Sequence, residues 1–306
     1  LKERLSDFIH QHQKDFEEAL RVSLPVSDLR GTHSLNEALE YALFPGGKRL
    51  RPVITLLCSM LVGASAKEAM PIACAIELLH TSSIIFDDLP AMDDADIRRG
   101  RATLHAAFGE GVAILTALAL LNQSYSLLAQ TAAKKSSDAL RIEKLVSEAA
   151  NCIGARGMIG GQVVDIEIQR GEINSEILAS RNLKTTALMK FTATAGAITF
   201  GADEKDVCAL ARFGECLGAA YQITDDVLDE LGECDVIGKT VKQDARHLRL
   251  TFAGVDIEKA HRLAINSIEE SKSVIVERFG NRYETNLLKD IADLVIGRVE
   301  RLMETV

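Results

Sequence analysis

Five aspartates, Asp87, Asp88, Asp93, Asp94 and Asp96, fall within ten consecutive positions directly after the apolar stretch Ile72 to Phe86. A second acidic group, Asp225, Asp226, Asp229, Glu230, Glu233 and Asp235, follows another apolar stretch that ends in Ala219-Ala220-Tyr221-Gln222. Carboxylates at the end of a helix oppose its dipole and repel one another, at a cost of roughly 0.3–1 kcal/mol per misplaced charge. A bound cation is the simplest offset. Hard oxygen donors without neighbouring Cys or His point to Mg2+, which keeps several waters and takes phosphate oxygens as further ligands. Asp225 and Asp229 stand at i and i+4, on one helix face. Either cluster alone is equally consistent with a solvated acidic surface. Two clusters, each closing an apolar helix and each followed by cations (Arg98-Arg99 and Lys239), favour one shared site. Arg98 stands where a calcium loop needs a third acidic ligand, which argues against calcium-hand chemistry.

The cations are grouped as well. Gly46-Gly47-Lys48-Arg49-Leu50-Arg51-Pro52 places three of them on a glycine-hinged turn, where backbone N–H groups can also approach an anion. Alone, such a turn is usually a solvated bend. His80 precedes Asp87 by nearly two helical turns and shares its face, though a lone histidine there also reads as a satisfied core residue. Lys184-Thr185-Thr186 precedes an apolar helix and reads either as a helix start or as a phosphate contact. Gly160-Gly161 inside a helical pattern costs about 1 kcal/mol per glycine relative to alanine, so a close neighbour, ligand or helix, is expected beside it.

The elements that must hold these groups are helices. All five prolines, Pro25, Pro45, Pro52, Pro71 and Pro90, lie in the first third of the chain, leaving the remainder free of the strongest helix breaker. Apolar positions recur every three or four residues in Ala113 to Ala133, Leu140 to Ile168, Glu176 to Phe200, Lys205 to Leu228 and Glu258 to Phe279. Strand-like alternation is hard to find. The expected fold class is all-α: one domain of roughly ten or more helices, bundled to bury so many apolar stripes.

Composition narrows the partners. A chain of 306 residues, 47% hydrophobic, with a formal net charge of -9, carries no basic field for nucleic acid or an anionic membrane surface. The apolar runs Val53 to Ala66 and Val112 to Leu121 fall short of the roughly 20 residues that cross a bilayer, so no membrane span is expected. Cys58, Cys74, Cys152, Cys208, Cys216 and Cys234 show no Cys-x-x-Cys pairing and are expected to be reduced, mostly buried thiols. That suits a cytoplasmic protein. A plastid location stays open, because the chain starts at Leu1 and a transit peptide can have been removed.

In order along the chain, Gly46 to Pro52, Asp87-Asp88-Leu-Pro-Ala-Met-Asp93 with Arg98-Arg99-Gly100, Gly161-Gln162, Lys184-Thr185, Gln222 with Asp225-Asp226-Val-Leu-Asp229, and Gly238-Lys239 resemble the trans-isoprenyl diphosphate synthases. These are the farnesyl and geranylgeranyl diphosphate synthases, and the likeness is to their bacterial and plastid branch. The resemblance implies a single polyprenyl synthetase domain over residues 1–306, an isoprenoid-synthase-type bundle around a central cavity, several Mg2+ ions per site, and a homodimer. It implies that Asp87, Asp88, Asp93 and Asp225 bind Mg2+ on an allylic diphosphate, with Asp226 and Asp229 completing the second motif. Arg98, Lys184 and Lys239 would contact that diphosphate. Gly47, Lys48, Arg51, His80 and Arg99 would hold isopentenyl diphosphate, and Gln162, Thr185 and Gln222 would line the reacting region, with Asp165 near the metal. Ser82, Ser83 and Phe86 would set product length. With no bulky aromatic at Ser82, the expected product is geranylgeranyl diphosphate, with farnesyl diphosphate next.

Two departures stand out. The family often has Gly-Asp where this chain reads Ala117-Leu118. It often has a threonine-tyrosine-proline segment where this chain has Leu248 to Ala253, with Arg249 in place of a lysine. A terpene cyclase of the same fold and a non-catalytic subunit of a heteromeric synthase therefore remain alternatives. Intact aspartate motifs argue against the subunit, and the joint presence of Lys48, Arg51 and His80 argues against the cyclase.

Overall fold

A computed structural model describes residues 2–44, 46–135, 138–167, 175–231 and 257–303. Among the described residues, twelve α-helices run in the order α1 (Glu3–Val22), α2 (His33–Leu43), α3 (Leu50–Leu61), α4 (Ala66–Asp87), α5 (Leu104–Phe108), α6 (Glu110–Lys135), α7 (Ala139–Ile153), α8 (Met158–Glu167), α9 (Ser175–Thr199), α10 (Glu204–Leu231), α11 (Ile257–Phe279) and α12 (Tyr283–Met303). A single two-stranded hairpin, β1 (Ile97–Arg98) paired antiparallel with β2 (Arg101–Ala102), is the one departure from an all-α fold among the described residues.

Helix α4 is the axis of the bundle. Its residues from Ile72 to Leu79 are buried on every side, and α3, α6 and α9 pack around it. It begins earlier than the apolar run suggests. Ser65 and Glu68 form a reciprocal capping box that starts the helix at Ala66, and Pro71 lies inside it. On the far side α9 packs on α3, α7, α8 and α10, and α10 is backed by α11 and α12. The periodic stretch that begins at Leu140 holds two helices, α7 and α8. It breaks after Ile153, where Gly154 to Gly157 form a turn before α8.

By length and composition α4 and α6 could each cross a membrane, which counting uninterrupted apolar residues does not reveal. The relevant window of α4 is 72% buried inside the bundle, as expected of a core helix, whereas that of α6 is 33% buried. One face of α6 packs on α4, and another leaves Ile114, Leu115 and Leu118 exposed. Cys58, Cys74, Cys152 and Cys216 are buried free thiols and Cys208 is an exposed one, while Cys234 lies outside the described residues. Burial pushes the Cys152 thiol up to about 12, so it is inert at neutral pH.

Candidate active site

The ends of α4 and α10 meet α8 and α9 around a cavity of about 750 Å³. One turn of α9 is pinned from both sides. A Cβ on Gly161 of α8 would lie 2.3 Å from the Lys184 backbone nitrogen, and one on Gly218 of α10 would lie 2.9 Å from Thr186 Cα. The paired-glycine signal in α8 thus marks a helix–helix approach that no side chain fits. Lys184 and Thr185 are held at the junction of three helices.

The first motif is built by the turn that ends α4. Asp93 N donates to Asp87 O at 2.9 Å, and Asp94 takes a left-handed conformation with φ 47°. Arg99 and Gly100 are left-handed as well (φ 55° and 73°), the requirement for a two-residue turn that matches strand twist. That hairpin returns Arg98 to the helix end, where its Nε and Nη2 reach Asp88 Oδ1 at 2.9 and 2.5 Å. Burial raises the Asp88 carboxyl above its ordinary value, with Asp87 and Asp93 adding to the effect and Arg98 opposing it. Asp87 Oδ1 meets Lys184 Nζ at 2.7 Å and accepts from Gln162 Nε2 at 3.1 Å. Burial would lower the Lys184 pKa, but Asp87, Asp165 and Asp93 together lift it above the usual lysine range. Asp94 and Asp96 are exposed and stand apart from the cavity.

The second motif splits. Asp225 lines the cavity, and Asp226 lines it too but is 2% exposed and accepts from Arg181 and Gln222. Gln222 in turn accepts from Thr185 Oγ1 at 2.5 Å. Asp229 falls on the last turns of α10, but its side chain lies outside the described residues, as do Lys239 and Arg249.

On the opposite wall, Arg51 Nη1 lies 3.1 Å from His80 Nε2. A guanidinium can only donate, so Nε2 accepts and the imidazole proton sits on Nδ1. Burial first, then the charges of Arg51, Arg99, Arg98 and Arg49, hold the His80 pKa well below its ordinary value, and the ring is neutral. Arg51 Nε is buried without a hydrogen-bond partner among the described residues. Arg99 completes this wall, its guanidinium within 2.9 Å of where a Gly47 Cβ would lie. Lys48 is exposed and off the cavity wall. Arg49, in contrast, turns inward at φ 48° to donate to Glu17, Glu77 and Leu43 O, and it fastens the glycine turn to the core.

The neutral ring makes stability pH-dependent. An unfolded histidine takes up its proton near pH ~6.5, and the folded His80 does so only at lower pH. Its contribution is therefore present above that value and lost as the pH falls below it. Thermal melts between about pH 8 and about pH 5 should show His80→Gln losing less stability than the unsubstituted chain, by up to roughly 1.4 kcal/mol per pH unit. Equal slopes would remove His80 as the cause.

The donor set suits Mg2+. No three described His, Cys, Asp or Glu side chains converge as a ready-made metal cage. Magnesium does not need one, because it binds one or two carboxylates and completes its shell with water and phosphate. Asp87, Asp93 and Asp225 offer such oxygens around one cavity, whereas Asp88, expected beside them, is buried against Arg98 and off the cavity wall. Below them Leu79, Ser82, Ser83, Phe86 and Leu188 give it a largely apolar wall.

Comparison with known proteins agrees. The polyprenyl synthetase family profile matches residues 32–284. Farnesyl diphosphate synthase of Bacillus subtilis is 37% identical over 96% of this chain and 98% of its own. Geranylgeranyl diphosphate synthase of Cyanophora paradoxa is 33% identical over 96% of both chains. The crystal structure of a Helicobacter pylori geranyltransferase complexed with magnesium and isoprenyl diphosphate superposes with a TM-score of 0.80 at 27% identity, covering 98% of this chain and 99% of that one. The chain belongs to the polyprenyl synthetase family and is a Mg2+-dependent trans-prenyltransferase of the short-chain class.

Proposed function

We propose that the enzyme condenses isopentenyl diphosphate with allylic diphosphates and that its main product is geranylgeranyl diphosphate. The observation that carries the product is Ser83. It lies one turn below Asp87 on the same face of α4, is half-buried, and lines the cavity with only a hydroxymethyl group. Ser82 beside it is buried and donates to Ala117 O of α6 at 2.9 Å, so it closes the wall without filling the cavity. Room for a further five-carbon unit follows.

Arg98 and Lys184 neutralise the allylic diphosphate as it leaves, and the apolar wall keeps water from the cation that forms. Asp87, Asp93 and Asp225, with Asp88 behind them, would hold Mg2+, which would supply further charge neutralisation at that diphosphate. Arg51 and Arg99 hold isopentenyl diphosphate with its double bond toward the cation. The buried, unpartnered Arg51 Nε supports this anion site. The new carbon–carbon bond forms, a proton leaves the adjacent carbon, and the departed diphosphate accepts it.

The test is condensation of labelled isopentenyl diphosphate with dimethylallyl, geranyl and farnesyl diphosphate in Mg2+, followed by sorting the products by chain length. Geranylgeranyl diphosphate should dominate. If farnesyl diphosphate accumulates instead, the product assignment is wrong although the reaction class stands.

We also propose that the protein is a homodimer that buries the exposed stripe Ile114, Leu115 and Leu118 of α6. Leu115 and Leu118 are 61% and 47% exposed, an apolar surface that a second copy would remove from water. Light scattering should give twice the chain mass and show Leu115→Glu shifted toward monomer. A monomeric wild type would end this proposal.

A further inference from the structure

We infer that Arg181 is a positioning residue that ties the second aspartate motif to the first and aims Lys184 at the allylic diphosphate. It stands three residues before Lys184 on α9, 4% exposed, at the back of the cavity. Its Nε donates to Asp165 Oδ1 at 2.6 Å, and its Nη1 and Nη2 reach Asp226 Oδ2 and Oδ1 at 2.9 and 3.4 Å. Each of those carboxylates leads onward. Asp226 Oδ1 accepts from Gln222 Nε2 at 2.8 Å, and Asp165 Oδ2 accepts at 3.2 Å from Lys184 Nζ, which also meets Asp87 Oδ1 at 2.7 Å. An unbroken run of polar contacts passes from α10 through Arg181 to α8 and on to the end of α4.

Arginine suits the centre of this run. Its planar fork meets two carboxylates at fixed angles, whereas a lysine ammonium is a single point charge. Asp165 and Asp226 are each 2% exposed, so neither can turn to water for a substitute partner. Two roles follow for the second motif. Successive helical residues point about 100° apart, so Asp225 and Asp226 cannot serve one point equally. Asp226 is the anchor, fastened to Arg181, and Asp225, which lines the cavity, would face the metal. Asp165 performs the matching task for Lys184. Were Asp87 to turn to a metal, Lys184 would keep Asp165 behind it and stay directed at the cavity.

The inference rests on Lys184 contacting the allylic diphosphate, as proposed above. The experiment compares Arg181→Gln and Arg181→Lys with the wild type in steady-state condensation, varying geranyl and isopentenyl diphosphate separately, and in calorimetric titration with geranyl diphosphate alone. Expected is a rise in KM for geranyl diphosphate of about tenfold or more in Arg181→Gln, with KM for isopentenyl diphosphate within about twofold, and weaker calorimetric binding of geranyl diphosphate. Equal changes in both KM values would mean a merely structural residue and overturn the inference, as would no change in either. Should Arg181→Gln fail to fold, the same split is read from Arg181→Lys, which keeps the charge but not the fork. Lys184→Ala binding geranyl diphosphate as tightly as the wild type would instead overturn the assignment of Lys184.

Discussion

Asp87→Ala should lower kcat/KM for condensation by about 10³-fold or more while leaving the protein folded. The size follows from what Asp87 touches. It would offer an oxygen to Mg2+, it is the partner of Lys184 at 2.7 Å, and it accepts from Gln162 at 3.1 Å. Losing one preorganised group that stabilises developing charge costs roughly 10²–10³ in rate, and a metal ligand adds to that. Folding should change little, because Asp87 is half-buried at the mouth and Lys184 keeps Asp165. The check is condensation rate against Mg2+ concentration for both proteins, with a melting curve for each. Activity within about tenfold of wild type would mean that Asp87 is not a ligand that matters.

Ser83→Phe should shift the main product from geranylgeranyl to farnesyl diphosphate without stopping turnover. Ser83 Oγ makes only a local bond to His80 O, 2.8 Å away, so its loss removes no contact between helices. The ring would extend into the cavity about one helical turn, some 5 Å, below Asp87, where the growing chain must pass. Ser82→Phe should behave differently. That side chain is buried against α6, so an aromatic there overpacks the interface and costs typically about 1–3 kcal/mol of stability. Product analysis and melting temperature for the two variants separate these effects. Persistence of geranylgeranyl diphosphate in Ser83→Phe would move the floor to other residues, with Leu79 and Phe86 next on the wall.

Residue order exposes some of this site and conceals the rest, for physical reasons. The aspartate clusters are legible because close carboxylates at helix ends are costly and need a cation to justify them. The long helices are legible because apolar periodicity persists where proline is absent. Arg181 is not legible. Its partners lie 16 and 45 residues away, and at the start of a charged helix it reads as one more solvated cation. The glycine turn misleads in a related way, since sequence presents Lys48, Arg49 and Arg51 as equals. Only the left-handed backbone at Arg49 sends that residue into the core and leaves Arg51 at the cavity. Pro71 does not start or end a helix: it lies inside α4, which the capping box of Ser65 and Glu68 opens before it.

The resting pair of Asp88 and Arg98 also bears on discrimination among anions. A phosphate or sulfate ion that reaches the cavity must compete with a buried carboxylate already seated on that guanidinium at 2.5 Å. It brings nothing to compensate the carboxylate it displaces, and an unpaired buried charge is costly. A diphosphate arriving with its own divalent cations would offer Asp88 a substitute partner. A simple anion should therefore compete more weakly for Arg98 than a diphosphate that brings divalent cations.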